Sequence, residues 1–258
     1  MTNSISAHDS RHDSVIIQCL KLLLPYVLKF RKNYSTFECA DIGCGYVLPY
    51  SDALLFSLAE SNIKHYTLYL VDPELSKNKE EAQDHIDHIK LFSGADDIVI
   101  YPNDFSKFFN EKPFKILDLI VMIQTSSLFT DEEIDNLFEE ASQSESIIIN
   151  IVELNDKVTS DKFKQDMNLH QHSLEWYIFK AVSHKFEFVK SIIMNAHNEQ
   201  FDGQLMAGMA VRFNKKAPDY LDALKAITPD LSEKEKTRNS LYFGEHIREA
   251  IEIIKDRF

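Results

Sequence analysis

A doubly wound α/β sheet of about seven strands, closing on an antiparallel pair and carrying helical extensions at both ends, is predicted by three observations. Apolar runs of strand length alternate with helix-length amphipathic segments over roughly the first 150 residues, the pattern of parallel strands joined by helical crossovers. Two more strand-like runs, 186–194 and 205–213, then follow one another with no helical pattern between them, as an antiparallel pair does. The composition is that of a packed globule, with 44% hydrophobic residues and only 6 Gly and 7 Pro in 258 residues.

The elements follow in order. From Ser14 the pattern is helical, with Val15, Ile16, Cys19, Leu20, Leu23 and Leu24 on one face at spacings of three and four; Pro25 is expected to bend or end that helix. Residues 37–42 read as a short buried strand that runs into Asp41-Ile42-Gly43-Cys44-Gly45. A helix over 51–61 leads to a strand over 66–71, which alternates aromatic and aliphatic residues and is ended by Asp72-Pro73. A polar-faced helix over 78–92 has Gly94 just past its carboxyl end. The strand over 97–101 is followed by Pro102-Asn103-Asp104, and the apolar run 116–123 suits a central parallel strand. Thr130 and Glu133 form a capping box that opens a helix to about Ala141, and 146–152 is a further apolar strand.

Residues 161–185 read as one or two helices carrying His170, His172, Glu175, Trp176 and Tyr177. The final two strands are joined by a loop containing His197 and Gly203. The tail from Pro218 is helical, with a second capping box at Ser232 and Glu235 and with Ile247, Ile251 and Ile254 on one face. The expected organisation is one domain: a helical cap over 1–36, an α/β core over 37–213 and a helical extension over 214–258. No internal repeat is visible.

Charge narrows the function. The sequence has 28 Lys and Arg against 41 Asp and Glu, a formal net charge of −13. A chain this acidic is repelled by phosphate backbones and anionic bilayers unless it gathers a basic patch, and its basic stretches, at 29–32 and 185–190, are short and broken by apolar residues. Cys19, Cys39 and Cys44 are odd in number and lack Cys-x-x-Cys spacing, which argues against disulfides and a thiolate metal site. The first residues are polar, and the greasy stretches are broken by Lys21, Lys29 or Asp118, too soon for a membrane span. A soluble, cytoplasmic protein is expected.

The sharpest local signal is Asp41-Ile42-Gly43-Cys44-Gly45 at a strand end ahead of a helix. Glycines there let the backbone turn tightly and a ligand approach closely. Asp72 ends the next strand, where a carboxylate can accept hydrogen bonds from both ribose hydroxyls. Asn103-Asp104 ends the third. Three polar or glycine-rich strand ends in succession fit one nucleoside-bearing ligand lying across them, since open sheets bind ligands beyond the carboxyl ends of their strands.

In these residues the sequence resembles the class I S-adenosylmethionine-dependent methyltransferases, whose Rossmann-like core would span about 37–213. Asp41-Ile42-Gly43-Cys44-Gly45 matches the family's first motif, and the terminal antiparallel pair is a second, independent match. The family often has a third glycine where Val47 stands, and Tyr46-Val47-Leu48-Pro49 is bulkier than usual. The resemblance implies S-adenosyl-L-methionine as cofactor. It places Gly43, Cys44 and Gly45 against the methionine part, with Asp41 bonding nearby, Asp72 on the ribose, Asp104 with Asn103 or Phe105 at the adenine, and Ile123 and Gln124 beside the methyl group.

Nucleic acid is a poor acceptor for such an enzyme here. Gln124-Thr125-Ser126-Ser127 stands where DNA amino methyltransferases carry an Asp or Asn followed by Pro-Pro and an aromatic, and no cysteine beyond Cys44 could serve as a Pro-Cys nucleophile. A small-molecule acceptor is expected. A general base is needed only if that acceptor loses a proton; His172, Tyr177 and His197 are candidates, with His170 and Glu175 beside them. Packing or a solvated face is the stronger reading of each of these. His170 and His172 are two apart, poor spacing for metal ligands on one helix, and His85 and His88 lie on a charged helix, so no metal is expected. Two other functions share the glycine turn and Asp72: a nicotinamide-dependent oxidoreductase, which would want a glycine at position 48 instead of Leu48, and a non-catalytic nucleoside-binding or scaffolding protein with a decayed cofactor site.

Overall fold

Seven strands form one sheet in the order β3-β2-β1-β4-β5-β7-β6. The computed structural model describes residues 10–30, 36–46, 48, 50–61, 63, 65–93, 95–114, 116–153, 172, 174–195 and 205–216. The chain divides into two compact units, Met1–Ile227 and Thr228–Phe258, and every described residue lies in the first.

The elements are α1 (Ser10–Leu28), β1 (Phe37–Ile42), α2 (Ser51–Glu60), β2 (Tyr66–Val71), α3 (Lys79–Ser93), β3 (Asp97–Tyr101), α4 (Phe105–Glu111), β4 (Leu119–Ile123), α5 (Asp131–Ser144), β5 (Ile147–Glu153), α6 (Leu174–Ser183), β6 (Phe186–Asn195) and β7 (Leu205–Phe213). Single 3₁₀ turns follow β2 and β4, at Pro73–Ser76 and Ser126–Leu128. Strands β1 to β5 pair in parallel, and β7 runs antiparallel to both β5 and β6. The seven-stranded α/β sheet and its antiparallel close are therefore as the sequence predicts.

Parallel pairing follows from burial on both faces. All five residues of β4 are buried, as a strand covered by helices on either side requires. One face packs Cys39, Leu68, Val121 and Ile149 with Leu20 and Leu24 of α1, Leu54 and Leu58 of α2 and Ile86 of α3. The other packs Ile120, Met122 and Ile148 with Phe105 and Phe108 of α4, Leu137 and Phe138 of α5 and Ala181 of α6. The capping box is present: Glu133 N–H donates to Thr130 Oγ1, and Thr130 N–H donates to the Glu133 carboxylate at 2.8 Å. Thr130→Ala should lower stability by about 1 kcal/mol, read as a shift in the urea midpoint at unchanged slope.

The structure refines the sequence reading at three places. Helix α1 runs through Pro25 to Leu28, so Pro25 does not end it. A proline inside a helix costs about 3 kcal/mol, but Leu23, Leu24 and Val27 are fully buried around it, each worth roughly 1.5–3 kcal/mol. Burial wins. Strand β4 begins at Leu119, not at 116, because Ile116 is 44% exposed and Asp118 turns its carboxylate to accept from Glu38 N–H at 3.0 Å. Helix α4 was not foreseen; Asp104 caps it by accepting from Lys107 N–H at 2.8 Å.

Among the described residues, no helix is long and apolar enough to cross a membrane. Gly94, His170, His197, Gly203, the capping box at Ser232 and Glu235, and Ile247, Ile251 and Ile254 lie outside the described residues.

Candidate functional site

The carboxyl ends of β1, β2, β3 and β4 share one edge of the sheet and are laced together there. Gly43 N–H donates to Val71 O at 2.7 Å, and Asp72 N–H donates to Tyr101 O at 3.2 Å. Both glycines of the turn after β1 have left-handed backbones, Gly43 at φ +75° and Gly45 at φ +67°, a region closed to most side chains. This geometry turns Gly45 N–H onto Asp72 Oδ2 at 2.9 Å. The other oxygen, Asp72 Oδ1, accepts from Glu74 N–H at 2.7 Å. The end of β2 thus clamps the turn that ends β1.

Thr125 holds the same turn from the other side. Its hydroxyl lies 3.0 Å from both Gly43 O and Ile123 O, and a Cβ on Gly43 would fall 1.9 Å from Thr125 Cγ2. The missing side chain of Gly43 is thereby explained by a neighbour within the chain, whereas the sequence suggested ligand clearance. Thr125 escaped the sequence reading because its partner is 82 positions away. Just before it, Gln124 has a left-handed backbone at φ +60° and donates its N–H to Ile151 O at 2.7 Å. A non-glycine residue in that region at a strand end stores conformational strain, a feature common at ligand sites.

Asp41 is 2% exposed and accepts from Ser51 Oγ at 2.8 Å. Burial pushes its carboxyl from 3.8 up to about 6, the Ser51 bond opposes this, and the charge of Asp72 adds to it. Cys44, Leu48 and Ile123 are turned into the core, and Tyr46 packs on its border. Burial pushes the Cys44 thiol well up, so it is no thiolate nucleophile.

At the end of β3, Asn103 accepts from Lys107 Nζ at 3.2 Å, while Asp104 is exposed and caps α4. Phe105 is buried, its ring 5.0 Å from that of Phe129.

The structure brings together two of the proposed acceptor-side residues. His172 stacks on Trp176 with ring centroids 3.5 Å apart, and its ring meets that of Tyr177 edge-on at 5.9 Å. The Tyr177 hydroxyl sits 3.1 Å from Ser126 Oγ, in the 3₁₀ turn that follows β4. Burial pushes the Tyr177 phenol up to about 12, against the Ser126 bond. Behind it, Lys180 donates to both oxygens of Asp135 at 2.8 and 2.7 Å, and His184 lies 2.9 Å from the same carboxylate, so α6 is tied to α5. The side chain of Glu175 is outside the described residues.

No protein-family model and no curated protein matches the sequence. Solved structures do match in fold. A SAM-dependent methyltransferase from Leishmania major superposes with a TM-score of 0.53 at 17% identity, over 79% of this chain and 74% of that one. A mycolic acid cyclopropane synthase complexed with SAH gives 0.52 at 10% identity, over 76% and 83%. A geranyl diphosphate methyltransferase in complex with SAM gives 0.52 at 9% identity, over 81% and 93%. The chain therefore has the Rossmann-like fold of the S-adenosylmethionine-dependent methyltransferases.

Proposed function

We propose that the protein transfers a methyl group from S-adenosyl-L-methionine to an oxygen, nitrogen or sulfur atom of a small molecule. The observation that carries this reading is the clamp between the glycine turn after β1 and Asp72 at the end of β2. An ionised carboxylate offers about four acceptor positions, and the two backbone N–H groups use two of them. The remaining pair suits the two hydroxyls of a ribose, and the left-handed Gly45 leaves no side chain beside them.

On this reading Gly43, Cys44 and Gly45 would hold the methionine part, with Asp41 beneath them. Asn103, Asp104 and Phe105 would border the adenine, and Ile123 and Gln124 the methyl group. The cofactor supplies an activated methyl on a sulfonium, so the chain's own task is alignment of the acceptor and exclusion of water. Aligned attack replaces a bimolecular encounter by a held geometry, the largest gain available without a base. His172 and Tyr177 would face the acceptor. Neutral at pH 7, the Tyr177 phenol can donate a hydrogen bond that orients an acceptor, but it is a poor base. A small acceptor is favoured by the −13 charge and by Gln124-Thr125-Ser126-Ser127 after β4.

Titration calorimetry with S-adenosylmethionine, S-adenosylhomocysteine and NAD tests the reading. The first two should bind, and Asp72→Ala should weaken both by about 100-fold or more, because two hydrogen bonds to a charged acceptor are lost at once. Binding of NAD alone would make the protein an oxidoreductase, and binding of none a scaffold. A circular dichroism melt of Asp72→Ala separates lost affinity from a loosened turn.

A further inference from the structure

A second site lies within the sheet's α6 face, away from the strand ends. Met122, Asn150, Met209 and Ser191 stand opposite one another across β4, β5, β7 and β6. Directly opposed residues point to one face of a sheet, and Met122, Asn150 and Met209 line one cleft with Phe138 of α5 and Tyr177 and Ala181 of α6. Asn150 and Ser191 are 6% and 2% exposed. Among the described residues, Asn150 Oδ1 and Ser191 Oγ make no hydrogen bond. Buried polar atoms are nearly always paired, so an acceptor left over in an otherwise apolar cleft points to a ligand that supplies the donor.

Size narrows the ligand. The enclosed depth of the cleft is about 20 Å³, space for one water-sized group. The space on its open side, solvent included, brings the whole to about 340 Å³, so the body of any larger guest would lie on that open side. Apart from Asn150 and Tyr177, whose hydroxyl is held by Ser126, the walls are apolar, and two of them are methionines, the side chains that repack most readily around a guest.

We infer that this cleft binds a small, mainly apolar molecule through a single hydroxyl, seated in the enclosed depth and donating to Asn150 Oδ1, with its apolar body against Met122, Met209 and Phe138. The inference stands apart from cofactor binding, since Asn150, Met122, Met209 and Phe138 lie outside the strand-edge site, and Tyr177 alone borders both.

Phenol and toluene are matched probes, equal in shape and differing in the donor. In protein labelled at its six methionine methyls with carbon-13, phenol should shift the Met122 and Met209 resonances saturably. Toluene should do so at least tenfold more weakly, because a polar group built to be paired rejects a guest that cannot pair it. Asn150→Leu keeps the branched outline of the side chain, though with more bulk, and removes the acceptor, and should abolish the preference. Equal shifts from both probes in the wild type, or none at either methionine, would overturn the inference and leave a water site only. If Asn150→Leu does not fold, Ala181→Leu narrows the cleft with Asn150 intact: loss of the phenol shifts supports the site, and their persistence refutes it.

Discussion

Gly43→Ala is expected to cost about 3 kcal/mol or more, a large part of the stability of an ordinary domain. Two independent penalties combine. A left-handed backbone costs a non-glycine residue roughly 1–2 kcal/mol, and overpacking costs about 1–3 kcal/mol more, since the new methyl would lie 1.9 Å from Thr125 Cγ2 and 2.8 Å from its hydroxyl. Neither atom can swing away cheaply, because the hydroxyl is held to Gly43 O and Ile123 O. Adding Thr125→Ala removes both clashing atoms and leaves only the Cβ at 2.9 Å. The double variant should therefore recover part of the overpacking cost and none of the backbone cost. Urea unfolding of the two variants measures this, and a Gly43→Ala protein within about 1 kcal/mol of wild type would contradict the packing of Thr125 on the turn.

Asp41→Asn should change how stability depends on pH. The carboxyl of Asp41 is raised from 3.8 to about 6 in the fold. A raised acid favours folding fully below its unfolded pKa, and that contribution is lost as pH climbs through the folded value. Wild-type protein should thus lose about 2 kcal/mol from this group between pH 4 and pH 7. Asparagine still accepts from Ser51 Oγ through its amide oxygen and does not ionise, so the variant should show a flatter profile and match or exceed the wild type at pH 8. Chemical denaturation at pH 5 and pH 8 reads the difference. Parallel profiles for the two proteins would mean that the carboxyl is better solvated than its burial implies.

What could be read from the sequence, and what could not, divides by the range of the interactions. Strands β1, β2, β3 and β7 have the bounds predicted because their apolar runs are closed by turn residues, as at Asp72-Pro73 and Pro102-Asn103-Asp104. The capping box at Thr130 and Glu133 is equally local. Pro25 does not end α1 because three buried neighbours outweigh its missing N–H. Helix α4 was missed although Phe105, Phe108 and Phe109 stand at helical spacings of three and four, because at seven residues it is too short for the pattern to repeat. In the candidate site, the glycine turn and Asp72 were visible as types of residue at strand ends. The bonds of Thr125 to Gly43 and of Tyr177 to Ser126 were not. They join residues 82 and 51 positions apart, and no local periodicity encodes such a pair.

Helix α1, the first element described, leans on the last ones. Its Cys19 and Leu23 lie 3.2–3.3 Å from where a side chain on Gly208 would begin, in β7. Because β7 is inserted between β5 and β6, β6 reaches the sheet only through a strand that is translated after it. A nascent chain leaving the ribosome can therefore set this helix against α2 early, but its seat on β6 and β7 is complete only about 180 residues later. Closing so distant a contact is slow, and in that interval the part of α1 that meets β6 and β7 is the surface that chaperones would need to shield.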